Sequence, residues 1–184
     1  MNLPNKITVG RLLLTAVFFV FVASDGRTLQ NVSLGIYVIA ALSDLADGWL
    51  ARRYKMVTDF GRVADPFADK ILVCGGLIFL LAKGQEATRV RDWMVVVILA
   101  REFLVSGMRS IAESKNIPFG ANYWGKFKAL SQNVAVGLSI LYVANGLESI
   151  TRLVDLVLYA ATGLTALSGI VYLFRAKKVL SVGS

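Results

Sequence analysis

At 184 residues, 56% hydrophobic and 17% charged, with mean hydropathy +0.63, this chain is more apolar than a soluble domain, where about 45–50% apolar and 25% charged is usual. No histidine and one cysteine, Cys74, exclude an intrachain disulfide, a thiolate zinc cage, imidazole-bound metals and histidine-dependent nucleophilic catalysis, so any metal must be magnesium, manganese or calcium on oxygen ligands. The net charge of +8 is carried between apolar stretches, where it suits anionic lipid headgroups and argues against nucleic acid.

A membrane-crossing helix needs about 20 mostly apolar residues, and six such stretches follow one another: Leu12 to Ala23, Asn31 to Ala51, Pro66 to Ala82, Trp93 to Ala112, Trp124 to Ala144 and Ile150 to Phe174. The first is short enough to be compared with a signal-peptide core ending in Val22-Ala23-Ser24. The opening Asn2-Leu3-Pro4-Asn5 reads instead as an ordered turn leading into a helix that begins near Thr8. The expected architecture is all-α: a single integral-membrane domain over 1–184, a six-transmembrane-helix bundle with a short N-terminal juxtamembrane segment.

The basic residues set its orientation. One side takes Lys6, Arg11, Arg52, Arg53, Lys55, Arg62, Arg109, Lys115, Lys126, Lys128, Arg175, Lys177 and Lys178; the other takes Arg27, Lys83, Arg89, Arg91 and Arg152. Positive residues collect in the cytoplasm, so both termini are expected inside. Gly75, Gly76, Gly137, Gly163, Ser168 and Gly169 are expected to permit close helix contact or dimerisation.

In the segment from Ser43 to Lys70, Asp44, Asp47, Asp65 and Asp69 stand at helical spacing on either side of one cytoplasmic loop. An ionised side chain at bilayer depth costs about 2.5–3.5 kcal/mol on insertion scales, so these four need a partner. At 100° per residue, Asp44, Asp47, Gly48 and Ala51 share one helical face, and Gly61, Asp65 and Asp69 form an i, i+4 stripe on the next helix. Pro66 allows Asp65 to be an N-cap, or sits inside the helix if that begins nearer Gly61. Gly48 and Gly61 leave room for a bulky ligand, and Arg52 can reach a phosphate.

Converging carboxylates without histidine form an oxygen cage for one or two divalent cations, an arrangement used for displacement at phosphorus. The same acids would also serve a cation-coupled transporter or an ion-pair network without turnover.

The spacing Asp44-x2-Asp47-Gly48-x2-Ala51-Arg52-x8-Gly61-x3-Asp65-x3-Asp69 resembles, without a gap, the signature of the CDP-alcohol phosphatidyltransferase family. The resemblance implies a usually homodimeric membrane enzyme that transfers a phosphatidyl group from CDP-diacylglycerol to an alcohol and releases CMP. It implies Mg2+ or Mn2+ on Asp44, Asp47, Asp65 and Asp69, with Asp69 also the base. Contact with the CDP moiety falls to Gly48, Arg52 and Thr58, and near its cytidine end to Pro4, Asn5 and Thr8.

Asn2-Leu3-Pro4-Asn5, Ala100-Arg101-Glu102, Arg109 and Gly125-Lys126-x-Lys128 are similar to the bacterial branch whose acceptor is glycerol 3-phosphate, in the cytoplasmic membrane with its active site facing the cytoplasm. Ala129, Ala64 and Phe67 depart from the commoner residues. A phosphorylated acceptor needs cationic donors. Arg101 is the first candidate because an idle charge in an apolar run is costly, pairing with Glu102 or a neighbouring helix being its rival. Arg109, Lys126 and Lys128 are expected at the rim and Lys70 close to the metals. Other acceptors to weigh are inositol phosphate, serine and phosphatidylglycerol.

Overall fold

A computed structural model describes the backbone of residues 3–54, 59–114 and 123–181, and within these the side chains of 8–43, 67–68, 70–112, 114, 125 and 127–174. The described residues are helical or in short turns. Six long helices form: α1 (Leu3–Ala23), α2 (Arg27–Tyr54), α3 (Asp59–Ala82), α5 (Asp92–Ser114), α6 (Tyr123–Asn145) and α7 (Thr151–Ser181), with a single-turn α4 (Gln85–Thr88) after α3.

The helices run past the apolar stretches at most ends, because backbone hydrogen bonding propagates until something breaks it whereas hydropathy marks only the buried length. Two expectations change as a result. Leu3 already belongs to α1, so Leu3, Pro4 and Asn5 are helical rather than a turn, and Pro4 sits in the first turn, where its missing N–H would have had no intrahelical partner. Since α3 begins at Asp59, Asp65 is an interior helical residue rather than an N-cap.

Side-chain contacts fix the direction of each helix. Gln30 of α2 donates to the carbonyls of Val22 (3.1 Å) and Ser24, satisfying groups left open where α1 ends. Lys83, just beyond α3, donates to the Ser24 carbonyl and pairs with Asp25, each at 3.0 Å. Asn145, ending α6, accepts from Arg27 (3.1 Å) and donates to Asn31 (3.0 Å) at the start of α2. Arg89 grips Asp155 near the start of α7 through two bonds of 2.9 and 2.6 Å, and that hydrogen bonding raises its guanidinium pKa above the ordinary value. These contacts gather the connections 24–26, 83–91 and 146–150 at one end. The late turns of α2, α5 and α7 and the early turns of α1, α3 and α6 therefore lie at the other.

The core runs along the antiparallel array through Phe18, Tyr37, Leu72, Leu77, Met94, Ile98, Val136, Ile140 and Leu158. A Cβ on Gly75 would stand 2.2 Å from the Phe19 ring, one on Gly76 3.1 Å from Val136, and one on Gly169 3.1 Å from the Arg101 stem, so these three do permit close approach. Gly137 and Gly163 do not within the chain: nothing lies within 4 Å of their Cβ positions.

Among the described residues, two stretches are long and apolar enough to cross a membrane, Phe127–Asn145 and Glu148–Phe174, while Thr8–Ala23 and Lys70–Ala82 are apolar but shorter. Each long stretch is only 39% buried, unlike the core helix of a soluble protein. Val96, Phe103, Leu156, Leu167 and Phe174 are 61–73% exposed.

Candidate active site

Asp44, Asp47, Gly48 and Arg52 occupy the last turns of α2, and Gly61, Asp65 and Asp69 the first turns of α3. Both segments are helical, so the one-face register of each acidic set stands on the backbone. The side chains of the four aspartates, Arg52, Pro4, Asn5 and Lys126, and the whole of Thr58, lie outside the described residues. Among the described residues no group of three or more His, Cys, Asp or Glu side chains forms a metal cluster. The donor chemistry of the acidic segments, carboxylates without imidazole or thiolate, fits a hard divalent cation such as Mg2+ or Mn2+.

The described part of this end contains a polar layer joining α5, α6 and α7. Glu102 of α5 is buried, and one of its oxygens, Oε1, collects three donors: the Lys128 ammonium, Arg101 Nη1 at 3.4 Å and Gln132 Nε2 at 3.4 Å. Gln132 also donates to Thr165 Oγ1 at 2.9 Å, and that hydroxyl donates to the Ala161 carbonyl at 2.6 Å. Arg101 turns toward α7, where its Nε donates to Ser168 Oγ at 3.0 Å and its guanidinium lies 5.4 Å from the Tyr172 ring centroid. Gly169, bare of a side chain, admits the Arg101 stem.

This layer borders a small opening lined by Lys70, Val73, Cys74, Glu102, Lys128, Ala129, Gln132 and Asn133. Lys70 follows Asp69 directly in α3, which puts the opening beside the acidic segment's backbone. Asn133 on its wall accepts from the Tyr37 hydroxyl at 2.9 Å, tying α6 to α2 two turns before Asp44.

Lys70, Lys128 and Glu102 thus come together. Lys128, expected at the rim, is instead buried at 8% side-chain exposure and paired with Glu102, because an ammonium on the inner face of α6 needs a counter-ion. Arg101 does not line the opening, and its contacts are those of the rival reading, with Glu102 and a neighbouring helix. Arg109 is half-buried, with a buried Nε that has no hydrogen-bond partner among the described residues. Thr8 is buried in α1, as is Arg11, which orientation alone would have left at the surface. Sequence reasoning gave no site role to Glu102, Gln132 or Thr165. The available signal was the i, i+4 pairing of Lys128 with Gln132 on α6, facing an acid set in an apolar run of α5.

The chain belongs to the CDP-alcohol phosphatidyltransferase family, whose sequence profile matches residues 1–170. Its relatives include the CDP-diacylglycerol--glycerol-3-phosphate 3-phosphatidyltransferase of Bacillus subtilis (strain 168), 32% identical over 195 residues that span 100% of this chain and 99% of that protein. A probable phosphatidylglycerophosphate synthase of Mycobacterium tuberculosis (strain H37Rv) is 35% identical over 178 residues, 95% of this chain and 81% of the relative. A cardiolipin synthase (CMP-forming) of Oryza sativa subsp. japonica is 30% identical over 193 residues, 98% of this chain and 59% of the relative.

Proposed function

We propose that this chain transfers the phosphatidyl group of CDP-diacylglycerol to the primary hydroxyl of glycerol 3-phosphate, giving phosphatidylglycerophosphate and CMP. The observation that carries this reading is end-to-end similarity to a transferase named for that donor and acceptor, in a chain that keeps the ungapped acidic signature on two consecutive helices.

In this reading Asp44, Asp47, Asp65 and Asp69 hold one or two Mg2+ or Mn2+ ions. When bound, the cations neutralise phosphate charge at the reacting phosphorus. Asp69 accepts the acceptor's hydroxyl proton. The freed oxygen forms a bond to the lipid-side phosphorus as the bond to the bridging oxygen breaks, and CMP leaves with that electron pair. Arg52 stabilises the charge that gathers on the leaving phosphate, and Gly48, Thr58, Pro4, Asn5 and Thr8 seat the CDP moiety. Lys70 and Lys128, with Arg109 and Lys126, attract the acceptor's phosphate to this end of the fold.

The reading includes a six-span homodimer in the bacterial cytoplasmic membrane, with both termini and the active site on the cytoplasmic side. The outward apolar side chains of α5 and α7 and the basic residues clustered at the acidic end support it. Diacyl tails then stay in the bilayer while glycerol 3-phosphate and CMP exchange with water.

Detergent-purified protein supplied with CDP-diacylglycerol and a panel of glycerol 3-phosphate, serine, inositol phosphate and phosphatidylglycerol tests this. CMP should appear with glycerol 3-phosphate and divalent metal together. CMP release only with another alcohol would replace the acceptor, and metal flux in proteoliposomes without CMP release would replace the enzyme with a transporter.

A further inference from the structure

We infer that Tyr37 and Asn133 are positioning residues for the acidic signature: their hydrogen bond sets the rotation of α2 about its own axis, and with it the direction of the face that carries Asp44 and Asp47. This rests on the metal-binding reading above.

The buried face of α2 runs through Gln30, Ser33, Tyr37 and Ala40, at alternating steps of three and four residues. The same alternation continues to Asp44, Asp47 and Ala51, so the acidic face prolongs the buried one. Asp44 stands seven residues after Tyr37, within about 20° of the same direction. No glycine or proline lies between them, and α2 is one uninterrupted helix from Arg27 to Tyr54. A rotation allowed at Tyr37 is therefore passed on to Asp44, about 10 Å further along the axis.

Apolar packing holds such a rotation loosely, because the hydrophobic effect has no direction. A hydrogen bond has one. The Tyr37 hydroxyl, on a side chain 2% exposed whose ring lies 5.2 Å from that of Phe18, donates to Asn133 Oδ1 of α6 at 2.9 Å. Asn133 is oriented in turn by its amide, which donates to the Ala129 carbonyl one turn back at 3.0 Å. The bonds of Arg27 and Asn31 with Asn145 also join α2 to α6, but they are exposed and lie at the opposite end of α2. Side-chain tips ride about 5–6 Å from a helix axis, so a turn of about 10° carries them about 1 Å, beyond the ~0.5 Å within which a ligand set must be held.

The test is Mn2+ binding to the full-length chain in detergent, read from the electron paramagnetic resonance signal of free Mn2+, with and without CDP-diacylglycerol. The proteins compared are the parent, Tyr37→Phe, Asn133→Leu, Tyr37→Phe/Asn133→Leu and Asp155→Asn. Tyr37→Phe and Asn133→Leu should each raise the Mn2+ Kd about 3-fold or more, the scale of one net hydrogen bond. The double variant should bind no more weakly than the weaker single, because both substitutions act through one bond. Asp155→Asn, which loosens the Arg89 clamp at the other end of the fold, should keep the parental Kd.

A parental Kd in Tyr37→Phe or Asn133→Leu, single effects that multiply in the double variant, or an equal rise in Asp155→Asn would each overturn the inference. If Asn133→Leu does not fold, Tyr37→Phe, which removes a single hydroxyl, carries the test and must still raise the Kd. A parent that binds no Mn2+ under either condition overturns the metal reading and this inference with it. A parent that binds Mn2+ with an affinity indifferent to Tyr37 and Asn133 overturns this inference alone.

Discussion

Lys128→Met removes the ammonium from a pair whose side chains are each 8% exposed, and its consequence can be worked from the contacts left behind. Glu102 would keep only Arg101 and Gln132, both at 3.4 Å and near the outer limit of a hydrogen bond. Removing one partner of a buried ion pair costs about 3–5 kcal/mol, because the remaining charge stays desolvated and under-compensated. For chains of about 150–250 residues each kcal/mol moves Tm by roughly 2–4 °C, so the midpoint should fall by on the order of 10 °C. Glu102→Gln added to Lys128→Met removes the stranded charge in a side chain of the same shape, and most of the loss should return. Thermal unfolding of the two variants beside the parent, in one detergent at one protein concentration, is the assay. A single variant that melts with the parent, or a double variant that melts as low as the single, would refute a buried and energetically coupled pair.

Chelation with EDTA should stop CMP release, with Mg2+ or Mn2+ restoring it, and full turnover in chelator would count against the metal reading. Asp69→Asn should lose about 100-fold or more in turnover, the scale of a general base, while donor binding persists; near-normal turnover removes it from that role. Gly75→Ala places a Cβ 2.2 Å from a Phe19 ring hemmed in by Phe18 and Phe79 at centroid distances of 5.6 and 5.0 Å. The overpacking cost, about 1–3 kcal/mol, should exceed the helix-propensity gain of about 1 kcal/mol and lower Tm. Gly137→Ala meets nothing within 4 Å and should keep that gain, so a lower Tm in this variant would contradict open space at that position.

The sequence made the helices legible and their ends much less so. Apolar runs mark which segments are buried in protein or lipid, but α3 reaches back to Asp59 through Gly61-Arg62-Val63-Ala64-Asp65, a polar stretch invisible to hydropathy. The acidic register was legible because it depends on helix geometry alone, and both segments are helical. Lys128 was not, since rim or interior is decided by Glu102, 26 residues away on another helix. The small residues divide on the same ground. Gly75, Gly76 and Gly169 face a neighbour within the chain and Gly137 and Gly163 do not, a distinction that lives in helix packing and leaves no local mark.

The placement of Glu102 also explains how a basic layer can stand at the same end of the fold as an acidic signature. Between unit charges about 4 Å apart, the attraction near a protein surface is on the order of 4 kcal/mol, enough to draw a mobile ammonium onto the nearest carboxylate. The α2 and α3 segments carry the four signature aspartates, and Lys70 and Lys128 border an opening beside them. A lysine collapsed onto those acids would neutralise ligands meant for a cation and would itself be lost to a phosphate. A separate carboxylate on α5, held by Gln132 from α6, gives Lys128 a buried counter-ion. On this reasoning Glu102→Gln, which leaves Lys128 and Arg101 buried without that counter-charge, should lower Tm, and a variant that melts with the parent would refute it.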